Sequence, residues 1–104
     1  MLFYFQFIVE KKKGKPDNEI LEELAMKISK DWKALGRRLK VDDTELYAID
    51  KQEDLLREKV YAMLMKWKQA KGEEATFLVL YDALCDPLVL RRDLAEEFCL
   101  VCRS

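Results

Sequence analysis

Apolar residues recur at helical spacing along most of the chain. Trp32, Leu35 and Leu39 share one face of a helix, and so do Leu56, Val60, Leu64 and Trp67. Neither set alternates as a strand would. Each face carries a tryptophan, with lysines and arginines between the apolar positions. Four more stretches read the same way. Asp17, behind Pro16, is a helix cap followed by Ile20, Leu21, Leu24, Ala25 and Ile28. Ser29 or Asp31 caps the helix that holds Trp32 and runs to about Lys40. Asp42 with Glu45 three residues on has the form of a capping box, opening a short helix with Leu46 and Ile49 inward. Glu53 and Asp54 open the long helix that holds Trp67 and stops at the Lys71-Gly72 glycine signal. Residues 74–84 form a fifth helix with Phe77, Leu80 and Leu84 inward. Asp86-Pro87 opens a sixth, Asp at the cap and Pro at the first helical position, with Leu90, Leu94 and Phe98 facing the core. The expected fold is all-α, a six-helix antiparallel bundle with these apolar positions as its core.

Composition fits that picture. The chain has 104 residues, 50% hydrophobic and 38% charged, with only 3 Gly and 2 Pro, which suits one helical domain. Gly36 lies inside the second helix, where it costs about 1 kcal/mol relative to Ala. The expected compensation is the close approach of a neighbouring helix. The opening Met-Leu-Phe-Tyr-Phe-Gln-Phe-Ile-Val has no clear period, although Phe3, Phe5 and Phe7 alternate as in a short strand. It is short for a signal peptide, and its lysines follow it. No apolar run approaches the ~18 residues of a membrane-spanning helix. The 3 cysteines therefore read as reduced thiols, and the expected location is cytoplasmic.

Candidate chemistry is sparse. There is no histidine, hence no usual general base and no usual metal ligand. Cys99-Leu100-Val101-Cys102 is a C-x-x-C, but it closes a helix instead of opening one after a strand. Cys85 is the only other thiol, too little for a zinc site. No glycine-rich phosphate loop exists, and the adjacent pairs Glu73-Glu74 and Glu96-Glu97 each diverge around a helix. No catalytic residue, metal site or cofactor is expected, and the chain reads as a non-enzyme. Net charge is −1, which argues against a nucleic-acid partner. Locally the signs separate. Lys33, Arg37 and Arg38 lie along the outer side of the second helix, with Lys40 just after. Asp42, Asp43 and Glu45 follow at once, with further acid at Asp50, Glu53 and Asp54. Such a bipolar surface permits head-to-tail contact between molecules. An ordinary solvated helix face is the plain alternative. Single surface ion pairs contribute only about 0–1 kcal/mol, so binding would need several contacts at once.

Lys30-Asp31-Trp32, Leu35, Leu39-Lys40-Val41, Asp43-Thr44 and Ile49 together resemble the second and third helices of death domains. Residues 56–67 are similar to the family's fourth helix. Gly72-Glu73-Glu74-Ala75-Thr76, with Leu80, Ala83 and Leu84, resembles the start of its fifth. The resemblance covers about residues 17–98 and is nearest in pattern to death domains of adaptors and receptor-interacting kinases. Arg91-Arg92-Asp93-Leu94 instead fits the Arg-x-Asp-Leu of the sister death-effector domains, which stand as an alternative.

The resemblance implies the Greek-key death fold over residues 17–99, after an apolar and basic segment 1–16 and before a tail 100–104. It implies a non-enzymatic module of apoptotic and inflammatory signalling. Such modules bind other death domains in receptor tails, adaptors and kinases, and form oligomers that cluster receptors with caspases or kinases. The implied contact sets a helix 2–3 patch (Lys33, Arg37, Arg38, Lys40, Asp42, Asp43, Glu45) against helices 1 and 4 of a neighbour. Arg37 and Asp43 match an arginine and an aspartate that family contacts rely on. Homo-oligomers are possible, and membranes are reached by recruitment only. With only residues 1–16 ahead of the domain, the effector-recruiting half of a longer adaptor is expected to be missing. The residues also leave a second reading, a peripheral membrane or partner-groove module using the aromatic N-terminus with Lys11, Lys12, Lys13 and Lys15.

Overall fold

The computed structural model describes residues 8–103. A short strand β1 (Ile8–Lys11) leads into six helices: α1 (Asn18–Lys27), α2 (Trp32–Arg38), α3 (Asp43–Gln52), α4 (Leu56–Lys71), α5 (Phe77–Cys85) and α6 (Arg92–Cys99). A second strand, β2 (Leu100–Arg103), follows directly. The six-helix fold read from the apolar spacing is the one observed. Residues 1–7, including the alternating Phe3, Phe5 and Phe7, lie outside the described residues.

Local chemistry sets most boundaries. The Asp17 carboxylate accepts from the Ile20 N–H at 2.9 Å and starts α1. Thr76 does the same for α5, accepting from the Val79 N–H at 3.2 Å. That cap moves the start of α5 from residue 74 to Phe77, and Gly72–Glu74 form a single 3-10 turn instead. Gly72 ends α4 with φ +55°, as the glycine signal predicted. Other start signals act differently from what was expected. Asp42 makes no side-chain cap bond, so the capping box does not form. The fourth helix begins at Leu56, after Glu53 has closed α3.

Asp86-Pro87 starts a single turn, not the sixth helix. The Asp86 carboxylate accepts from the Leu88 N–H at 2.9 Å, and its carbonyl accepts from Val89 and Leu90, each at 2.8 Å. Leu90 then takes φ +56° and stops the turn, and the Arg91 N–H donates back to the Leu84 carbonyl. Val89, 4% exposed, fills the inward place expected of Leu90, which is 73% exposed. The helix restarts at Arg92. Arg91 grips Asp93 through Nε and Nη2 and donates from Nη1 to the Lys27 carbonyl at the end of α1.

The core is continuous from Leu21 in α1 to Cys99 in α6, and the expected inward residues fill it with three exceptions. Besides Leu90, Leu56 is 41% exposed, because it is the first residue of its helix and lies at the end of the apolar stripe. Ile20 packs on the core only in part. Trp32 and Trp67 are both buried. The close approach expected at Gly36 is present. A Cβ there would lie 2.7 Å from Leu46 Cδ2 and 3.2 Å from Met63 Cγ, so α2 packs against α3 and α4 backbone-first.

The sheet was not expected at the tail. β1 and β2 pair antiparallel, Ile8 opposite Arg103 and Lys11 opposite Leu100. The Lys12 N–H continues the ladder to the Cys99 carbonyl at 2.8 Å. The Gly14 carbonyl then accepts from the Phe77 N–H at 3.0 Å, securing this segment to the start of α5. No helix among the described residues is long and apolar enough to cross a membrane.

Candidate protein-interaction surface

Trp32, Leu35 and Leu39 pin one side of α2 to the core, which turns its charged residues toward α3 and solvent. Lys33 Nζ donates to Asp50 Oδ2 at 2.7 Å, and Lys59 of α4 donates to the other oxygen of the same carboxylate. One carboxylate thus ties α2, α3 and α4 together. The Lys33 hydrogen bond, then that of Lys59, holds the Asp50 carboxyl down at about 2.

Arg37 and Asp43 meet each other. Arg37 Nε donates to Asp43 Oδ1 at 2.9 Å, and both side chains remain exposed. Glu45 reaches toward Lys66 of α4, 3.8 Å away. Arg38 is half-buried, and its Nε has no hydrogen-bond partner among the described residues. Lys40, with φ +69°, and Asp42 stand exposed in the link between α2 and α3. The structure therefore brings Arg37, Lys40, Asp42 and Asp43 together at one end of α2–α3, and ties Lys33 into the clamp on Asp50.

Sequence reasoning noticed Asp50 only as local acid and missed Lys59 and Lys66. It placed the opposing surface on helices 1 and 4 only through the resemblance, and named none of its residues. Between α1 and α4 runs a groove of about 420 Å³ lined by Glu22, Ala25, Met26, Arg57, Glu58 and Tyr61. Met26 is 65% exposed, and Leu55 and Leu56 continue the apolar ground beside it. The signal was available: Met26 is an apolar residue outside the inward stripe of α1. An apolar floor and a rim of both signs, Glu22 with the Arg57–Glu58 pair 3.9 Å apart, suit a partner that also offers charges of both signs.

The described free thiols are Cys85 and Cys99. Cys99 is fully buried, and burial pushes its thiol up to about 12, so it stays protonated near neutral pH. Cys85 sits beside Tyr81, whose phenol is raised first by burial and then by the neighbouring thiol.

A family model for the death domain matches residues 18–98. The human FAS-associated death domain protein is 41% identical over 73 residues, which cover 67% of this chain and 35% of that protein. The match thus spans about a third of the relative's length. Fold, helix order and family match agree, and the chain belongs to the death-domain family.

Proposed function

We propose that this chain is a non-enzymatic interaction module of cytoplasmic death signalling, which binds other death domains, copies of itself included. The α2–α3 patch of Lys33, Arg37, Arg38, Lys40, Asp42, Asp43 and Glu45 docks on the α1–α4 face of a neighbour. Arg37 and Asp43 lie at its centre, and repeated contacts cluster receptors with caspases or kinases. Lys33 serves by holding the patch in shape through Asp50.

The observation that carries this reading is the presence, on one chain, of two surfaces of unlike make-up. One is the exposed charge array of α2–α3, and the other is the partly apolar groove lined by Glu22, Met26, Arg57, Glu58 and Tyr61. A contact between unlike patches is head-to-tail and leaves a free patch on each end, so it propagates. Each charge pair is weak alone, and several made together in an oligomer give useful affinity.

Light scattering behind a sizing column, at two salt concentrations, tests this. Arg37→Glu and Glu58→Lys should each keep the fold and each lose assembly by at least roughly tenfold, since facing like charges cost several kcal/mol. Mixed together they should pair, because each variant keeps the patch the other lacks. Two inactive variants that fail to complement would refute the head-to-tail contact.

A further inference from the structure

We infer that the face formed by β1, the turn after it and the start of α5 is a docking surface for an anionic lipid bilayer. This does not depend on the α2–α3 contact. Lys11, Lys12 and Lys13 come in unbroken succession on a backbone that is held at both ends. The Lys12 N–H bonds the Cys99 carbonyl, and the Gly14 carbonyl accepts from Phe77. Lys11 Nζ stands 4.7 Å from the centre of the Tyr81 ring and Lys12 Nζ 5.4 Å from that of Phe77. A ring face orients an ammonium without cancelling its charge, as a carboxylate would. Lys13 is exposed and has no ion-pair partner among the described residues. Lys15 differs, being paired with Glu73 at 3.0 Å.

These three charges line a groove with Gly14, Thr76 and Leu78. Leu78 is 48% exposed there. Charge alone would suit any polyanion. The exposed Leu78 beside it selects the lipid surface. Lysines favour the anionic phosphates and carboxylates of a bilayer surface, and an exposed apolar side chain beside them enters its interfacial layer. One such signal gives marginal binding, and two together anchor a protein. A lysine near an anionic leaflet strengthens binding about fivefold, so three give roughly a hundredfold.

The test is co-sedimentation of the full 104-residue chain with phosphatidylcholine vesicles, with and without phosphatidylserine. Binding is expected only with phosphatidylserine and should vanish at high salt, where screening shortens to about 3 Å. Replacing Lys11, Lys12 and Lys13 together by Gln should weaken it by roughly a hundredfold. Lys13→Glu serves as the second variant, because its side chain supports no contact in the fold, and should weaken binding by at least about tenfold. Leu78→Gln should weaken it severalfold at unchanged charge. Absence of binding to phosphatidylserine vesicles at low salt would overturn the inference, as would parental binding by Lys13→Glu. Equal affinity for soluble polyglutamate, with Leu78→Gln binding vesicles unchanged, would also overturn it by showing that the face reads charge alone.

Discussion

Gly36→Ala sets two well-defined effects against each other. Helix propensity favours the change by about 1 kcal/mol, because Gly36 lies inside α2. Packing opposes it. The new methyl would lie 2.7 Å from Leu46 Cδ2, 3.2 Å from Met63 Cγ and 3.4 Å from Leu46 Cδ1. Both Leu46 methyls bracket the site, so turning that side chain exchanges one clash for the other. Leu46 and Met63 are buried and have no solvent to move into. Overpacking of this kind costs about 1–3 kcal/mol. The expected net effect is a loss of about 1 kcal/mol, which lowers Tm by about 4–8 °C in a domain of this size. Urea unfolding followed by circular dichroism reads the same quantity as a shift in midpoint at constant slope. Leu46→Val shortens the obstructing side chain, so the double variant should be more stable than the sum of the two single effects. A Gly36→Ala protein as stable as the parent, or more so, would refute the packing argument and show that α3 and α4 yield at little cost.

Two further outcomes follow from the same geometry. Asp50 has its folded carboxyl lowered from 3.8 to about 2, so its contribution is complete above 3.8 and lost as pH falls toward 2. Melting curves across that window should steepen the parent's acid loss relative to Asp50→Asn, and identical slopes would mean the clamp contributes nothing. Leu90→Gly should raise stability by about 0.5–1 kcal/mol, because it relieves a left-handed leucine that is 73% exposed and buries little. A lower melting temperature for Leu90→Gly would show that the leucine is held by contacts worth more than its backbone strain.

Much of the fold was legible because its signals are local. Asp17 caps the next turn of its own chain, Gly72 stops its own helix, and the tryptophan stripes need only helical geometry. The misreadings mark places where distant contacts decide. Asp86 and Pro87 do start a helical turn, and what ends it is the docking of Val89 into the core and the bond from Arg91 to Leu84. Leu56 lost its inward place because the helix began three residues late. The site divides the same way. The charges of Lys33, Arg37 and Asp43 are visible in the sequence, and Arg37 and Asp43 are near enough in the chain to be paired by eye. That Lys33 shares Asp50 with Lys59 depends on the register of three helices, which no local pattern states. The β1–β2 pairing joins residues almost a full chain apart and was equally out of reach.

That pairing also fixes how the domain bears tension. Ile8 and Arg103 are opposite one another at the open end of the ladder, and Lys11 and Leu100 at the closed end. A pull through the two flanking segments therefore acts at one edge and peels the strands apart one rung at a time. Each rung resists with only about 0.5–1.5 kcal/mol, and no two are loaded together. The Lys12–Cys99 bond yields next, and the helices feel no load until it has gone. The clasp is thus a sacrificial fastening, which gives at low force and adds slack while the bundle behind it stays whole.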